Sequence, residues 1–292
     1  MLQWKSDRRR WMQSAGLAVS GPALWVLSGC SLSPRSPDTS SRQGTSAQPE
    51  PSTGPQASTL PRASSEPQSG AVPVLAPFSA GPQALGEGRW EPWGRHPSKP
   101  RTDYSIIRES SQSVLQARAM SSVSGLKHKV NRPADDFASI RWRWRIDQVL
   151  KNADVGDRHS DDAPARLVLA FDGDRAKLSM RELMVAEQFQ LFTGQPMPYA
   201  TLMYVWDTSR AEGEVVQNVH SGRIRKLVVQ SGGSQAGRWM RYERDFRADF
   251  VKAFGEAPGR LTGVGVMTDS DNTRQKARCL YGDVELVPRK AV

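Results

Sequence analysis

From Tyr104 onward the chain runs in short segments of mixed apolar and polar residues, most of them bounded by Gly, Pro, Asn or Asp. Nine segments read as strands: 104–110 (YSIIRES), 113–120 (SVLQARAM), 124–130 (SGLKHKV), 139–147 (SIRWRWRID), 165–173 (ARLVLAFDG), 199–206 (YATLMYVW), 224–232 (IRKLVVQSG), 260–269 (RLTGVGVMTD) and 279–287 (CLYGDVELV). Several alternate with the period of two that puts one strand face on a core and the other in water. "RLVLAF" and "TLMYVW" are nearly continuous, which predicts burial on both faces.

Two segments switch to a helical period. Ser179-Met180-Arg181-Glu182 is a capping box: the serine caps an exposed amide and the glutamate reaches back. Val185, Phe189 and Phe192 follow at helical spacing with Met184 and Leu191 alongside, and Gly194 marks a stop. The second helix, Asp245 to Phe254, sets Phe246, Phe250 and Phe254 on one face and closes at Gly255. Many strands with two short helices and no strand–helix rhythm predict an all-β fold, an antiparallel β-sandwich of jelly-roll type. An immunoglobulin-like sandwich is the rival, and neither cysteine pairing nor turn spacing supports it.

Residues 1–85 do not share this pattern. Lys5, Arg8, Arg9 and Arg10 precede a broken apolar stretch ending in Leu27-Ser28-Gly29-Cys30. That arrangement resembles a bacterial lipoprotein signal (residues 1–30), in which Cys30 is lipidated and becomes the first mature residue. The arginines also resemble a twin-arginine export signal. Residues 31–85, rich in Ser, Pro and Gln, lack the large apolar residues that offset ordering entropy, so they predict a disordered linker. The folded domain is then expected over 86–292. With Cys30 lipidated, Cys279 has no disulfide partner, and its strand-like setting marks a small buried hydrophobe.

The formal charge of +10 falls to +7 once the signal's four bases and one acid are removed. No dense basic tract exists, which argues against a nucleic-acid partner; the modest excess suits anionic envelope material.

Candidate chemistry centres on "SIRWRWRID". In a strand, Trp142 and Trp144 face the core while Arg141, Arg143 and Arg145 line the outer face. Guanidinium forks suit carboxylates, phosphates and sugar hydroxyls. The same stripe is also explained by ordinary cross-strand pairing with acids. The acidic loop holds Asp154, Asp157, His159, Asp161 and Asp162, and Asp269 to Thr273 forms a second. Such oxygen clusters suit Ca²⁺, acid–base pairs or plain solvation. An EF-hand is excluded, because Arg274 stands where the loop needs glycine and Leu280 where it needs glutamate. His96, His128, His159 and His220 lack zinc spacing, and no nucleophile elbow or dinucleotide fingerprint is present.

Taken together, "WRWRID", "DDAPARLVLAFDGD", "YATLMYVW", "RIRKLVVQSG", "DFRADFVKAFGEAPG" and "GVGVMTDSDNT…YGDVEL" resemble the bacterial domain-of-unknown-function family 3047 from about Tyr104 to Val287. That family brings no assigned activity and no catalytic residues. The closing strands also resemble galactose-binding-like jelly rolls, which implies carbohydrate as a ligand class.

The expectation is a protein lipid-anchored through Cys30 to the bacterial cell envelope, on the periplasmic side of the outer membrane. Its jelly roll is expected to bind a glycan or other anionic envelope polymer through Arg141, Arg143, Arg145, Asp161, Asp162, Asp269 and Asp271. Two alternatives stand beside it. One is a polysaccharide hydrolase using an aspartate pair; the other is a non-catalytic assembly factor for an envelope protein.

Overall fold

The computed structural model describes residues 73–94, 99–193 and 195–290. Cys30, the signal segment, linker residues 31–72, His96 and Gly194 lie outside them. Thirteen strands form among the described residues: β1 (Glu91–Trp93), β2 (Asp103–Glu109), β3 (Gln112–Met120), β4 (Val123–Pro133), β5 (Phe137–Ile146), β6 (Arg166–Phe171), β7 (Ala200–Asp207), β8 (Val215–Gln217), β9 (Ile224–Ser231), β10 (Met240–Arg244), β11 (Arg260–Asp269), β12 (Lys276–Tyr281) and β13 (Glu285–Pro288). Helices α1 (Met180–Thr193) and α2 (Phe246–Phe254) complete the regular structure with four short 3₁₀ turns.

The strands make two sheets. The larger runs β1-β4-β11-β6-β7-β9-β8; the smaller runs β10-β5-β12-β3-β2, with β13 also pairing to β5. All pairings are antiparallel except β7 with β9. From β3 to β6, and again from β10 to β12, consecutive strands alternate between sheets. This wrapping of a chain around its own core is the all-β jelly-roll sandwich that the alternation predicts.

Burial explains the two unusual apolar runs. Inward-facing Leu167, Leu169, Phe171, Leu202, Tyr204 and Trp206 join the central core, while Val168, Met203 and Val205 join a second apolar cluster on the outer side of the same sheet. Every residue of β7 is buried. A strand covered on both faces has no position left for a polar alternation.

Both helices begin as their sequences predict. Ser179 N–H donates to Glu182 Oε2 at 2.9 Å, and Glu182 N–H donates to Ser179 Oγ at 3.3 Å. Asp245 caps α2 by accepting from Arg247 N and Ala248 N, and Gly255 ends it in the left-handed region at φ 72°, its N–H on Val251 O at 2.8 Å. Phe246 and Phe250 lie fully buried against Phe171, while Phe254 is only partly covered.

Two sequence expectations need correction. The domain begins before residue 86: Leu75, Phe78 and Ala84 are buried in the central core, with the Phe78 ring 4.8 Å from that of Trp90. A few apolar residues in a polar stretch suffice once they fall into one pocket. The segment 279–287 is two strands, not one. Tyr281 pairs with Trp144 and Glu285 with Arg141, so Gly282, Asp283 and Val284 stand against two residues of β5; Gly282 N–H still bonds Arg143 O at 2.9 Å, and the ladder breaks at Asp283 and Val284. Among the described residues no helix is long and apolar enough to cross a membrane.

Candidate functional site

β5 sits inside the smaller sheet and presents its two faces as the alternation predicts. Trp142 and Trp144 are buried in the core; Trp142 stacks on Tyr204 and Tyr242 at 4.8 and 4.9 Å. Arg141, Arg143 and Arg145 are the outer face. They meet different fates. Arg141 lies between Glu243 on β10 and Glu285 on β13 in register, with Nε 2.9 Å from Glu243 and a longer 3.9 Å approach to Glu285. The Glu243 bond raises Arg141's pKa and, with Ser139 as second donor, lowers that of Glu243. Arg145 pairs with Glu109 at 2.7 Å. Ordinary cross-strand pairing accounts for these two.

Arg143 is different. Its register partner is Arg241, a like charge placed directly opposite, and neither has a carboxylate within 4.0 Å among the described residues. Arg143 donates to Gln112 and lies over the Trp239 ring, 4.7 Å from its centroid. It also lies across Gly282, where a Cβ would stand 2.3 Å from Arg143 Nε. The ladder break and the missing side chain thus make room for the guanidinium. Around the pair is an open groove of about 670 Å³, whose wall includes Gln112, Arg141, Glu243, Asp283 and Glu285. Asp283 is partly committed, accepting from Ser79 N and Ser79 Oγ at 2.8 and 2.6 Å.

The four aspartates lie elsewhere. None of them lines the groove, and no hydrogen bond or ion pair among the described residues joins them to Arg141, Arg143 or Arg145. The expected single surface of three arginines and four aspartates is therefore corrected: the arginines lie on a sheet face, whereas the aspartates sit in a loop cluster around Arg166. That arginine, 2 % exposed, holds Asp269 through Nε and Nη2 at 2.9 and 3.0 Å, and Asp161 through Nη2 at 2.9 Å. Lys226, 1 % exposed, donates to Asp161 and, at 2.6 Å, to Val155 O.

Charge balance governs titration there. Burial and the adjacent Arg166 push Lys226 down to about 8, against the pull of Asp161. Burial pushes Asp161 up, but Arg166 and Lys226 outweigh it and hold the carboxyl below its usual range. Asp269, wholly enclosed, is pushed up to about 6 by burial despite Arg166.

Asp162 takes a third direction. It accepts from Asn272 N, Thr273 N and Thr273 Oγ at 3.2, 2.6 and 2.7 Å, and so clamps one loop to the other. Asp161 and Asp162, adjacent in sequence, thus engage separate partners and do not form a facing acid–base pair. Asp162, Asp269 and Asp271 come within 4.8 Å of one another, the one group among the described residues that could hold a cation. Arg166 on Asp269 and Lys99 on Asp271 already supply the positive charge such a cluster calls for. Cys279 is buried and free, and burial raises its thiol pKa, which suits a packed side chain and not a nucleophile.

Arg241, Trp239 and Gln112 escaped the sequence reading. The alternation of "MRYER" over 240–244 was the available signal for β10. Its pairing with β5 is a long-range fact.

The class this geometry defines is a jelly-roll sandwich with an open polar groove on one sheet. The chain belongs to the family described as "Protein of unknown function (DUF3047)", which matches residues 88–285. No curated protein matches it. Among solved structures it is similar to endoglucanase cel12A from Rhodothermus marinus, at 9% identity and TM-score 0.38, covering 70% of this chain and 98% of that one. It is also similar to the xyloglucanase domain of NopAA from Sinorhizobium fredii, in complex with cellobiose, at 5% identity and TM-score 0.34, covering 68% and 96%. These are likenesses of outline, and the site's chemistry rests on this chain's own residues.

Proposed function

We propose that this domain is a non-catalytic binding module that takes an acidic glycan of the cell envelope in the groove of the smaller sheet. The observation that carries it is the Arg143–Arg241 pair. Two cations placed directly opposite on adjacent strands weaken a sheet, and here neither is answered by a carboxylate. A ligand carboxylate bridging the two forks would remove that repulsion and gain charge-assisted hydrogen bonds. Glu243 and Glu285 at the groove wall accept from sugar hydroxyls, and the Trp239 face behind Arg143 keeps the guanidinium plane in place. A uniformly charged polyanion suits this mixed lining less well than a hydroxyl-rich acidic sugar. Lipid on Cys30 would hold the chain to the membrane, with residues 31–72 as its tether.

The test is calorimetric titration of the full chain carrying Cys30→Ser with oligogalacturonide, and with a neutral oligosaccharide of equal length. Saturable binding of the acidic ligand, weakened about tenfold or more in Arg143→Ala or Arg241→Ala, is expected, since a hydrogen bond to a charged group contributes ~1.5–3 kcal/mol. Equal binding of both sugars, or affinity indifferent to both substitutions, overturns the reading. For the anchor, radiolabelled palmitate should enter the wild-type chain and not Cys30→Ser; equal labelling of both refutes it.

A further inference from the structure

The outer face of the larger sheet carries a second cavity of different chemistry, on the opposite sheet from the arginine groove. It encloses about 620 Å³, within the ~300–1,000 Å³ range of small-molecule sites. Its floor is the centre of β11, where Gly263 and Gly265 leave the backbone bare. Val168 and Met203 extend that floor across β6 and β7, and Trp93, Met197 and Phe189 stand around it. Outward positions of a sandwich sheet usually meet water and are polar. Here they form an apolar trough beside the second apolar cluster.

The charge at the trough has one sign. Lys127 and Lys129 of β4 stand in register with Gly265 and Gly263, so both cations flank the bare floor. Lys127 Nζ donates to Gln195 Oε1 at 2.8 Å, and Lys129 is exposed. Neither lies within 4.0 Å of a carboxylate among the described residues, and no Asp or Glu lines the cavity. Glu91, the register partner of Lys127 on β1, has its carboxylate on Gly88 N–H at 2.8 Å. A hydroxyl-rich ligand would find few acceptors here, and a cation would be repelled.

We propose that this trough binds a single-chain amphiphile with an anionic head, its hydrocarbon over Gly263 and Gly265 and its head between Lys127 and Lys129. Helix α1 fits the assignment. Phe189 turns to the cavity, while Met180, Met184 and Leu191 share the helix's other side and are 75, 57 and 84 % exposed. Exposed apolar residues gathered on one side of a helix mark an interaction surface, here one that a lipid phase supplying such a ligand would cover.

Dodecyl phosphate below its micellar concentration is the probe, titrated into the full chain carrying Cys30→Ser, with inorganic phosphate and dodecyltrimethylammonium in parallel. Saturable binding of dodecyl phosphate alone is expected. Lys127→Glu with Lys129→Glu should weaken it by about tenfold or more, as expected for charges facing a ligand at close range. Ala170→Trp should block it by filling the cavity, and both variants should keep the wild-type unfolding transition. Equal affinity for the cationic amphiphile, binding of phosphate alone, or indifference to Ala170→Trp overturns the proposal. So does a dimer in sedimentation that Ala170→Trp dissociates, because a second copy would then be what covers the trough.

Discussion

Two groups of arginine and acid residues in this molecule look alike in composition and differ in everything else. Around Arg166 the charges are satisfied and mostly enclosed: Arg166, Asp269 and Lys226 are buried, Asp161 is half-buried, and they use their polar atoms on each other and on backbone. On the outer face of β5, Arg141 is paired in the open, Arg145 is paired half-buried, and Arg143 faces Arg241. Enclosure makes the first group part of the fold. A buried charge stripped of its partner cannot turn to water, so evicting one member leaves the others uncompensated. The second group is wet, and its energetic role in folding is small. Freedom from the fold is what leaves Arg143 and Arg241 available to a ligand.

The largest effect that would test this contrast is on stability. Arg166→Ala should cost ~3–5 kcal/mol, as breaking a buried ion pair does. Arg143→Ala should stay within ~0.5 kcal/mol, the range of ordinary surface changes. Urea unfolding of the two variants side by side decides it, and similar losses would erase the distinction between the regions.

A pH series sharpens the same point. Lys226 titrates at about 8 in the folded protein, against ~10.4 in an unfolded chain. Between those values the unfolded chain holds more protons at this group, so Lys226 should contribute stability that rises with pH, by at most ~1.4 kcal/mol per unit; the buried Cys279 thiol, which keeps its proton where an unfolded thiol (~8.5) ionises, pulls the other way. Below pH 8 the group is charged in both states and adds no slope. Lys226→Met should remove the Lys226 contribution alone, so the wild type should gain stability relative to the variant between pH 7.5 and 9.5; unfolding of both at pH 7.5, 8.5 and 9.5 checks it, and a constant difference refutes it.

Arg241→Gln should move two quantities in opposite senses. Relief of the like-charge pair raises stability by ~0.2–1 kcal/mol, while oligogalacturonide affinity falls. A loss of stability would mean that Arg241 has a structural partner after all. Smallest is Gly282→Ala: the new methyl would crowd Arg143 from Nε down to Cγ, so that side chain has to leave its place over Trp239, while the unfolding transition should shift by less than in Arg166→Ala. Oligogalacturonide affinity should weaken by less than in Arg143→Ala; an unchanged affinity would show that the position of Arg143 over Gly282 has no part in binding.

Much of the fold was legible along the chain. The period-two runs, the capping box at Ser179 and the phenylalanine face of α2 are local, and each declares its structure within about ten residues. The even spacing of the arginines in "SIRWRWRID" likewise placed them on one face, because a strand's side chains alternate whatever lies beside it. Residues 73–85 are the opposite case. Leu75 and Phe78 are too few to form a pattern, and only the pocket beside Trp90 gives them a place.

What the sequence alone determined, then, is which way each side chain leaves the backbone, since that depends on a strand's own geometry. Which charges meet is set by long-range packing. Asp269 reaches Arg166 across 103 residues, and Arg241 comes opposite Arg143 through a strand pairing of similar span. A charge's role follows from its partner and from the water around it, and both are supplied by segments far away in the chain.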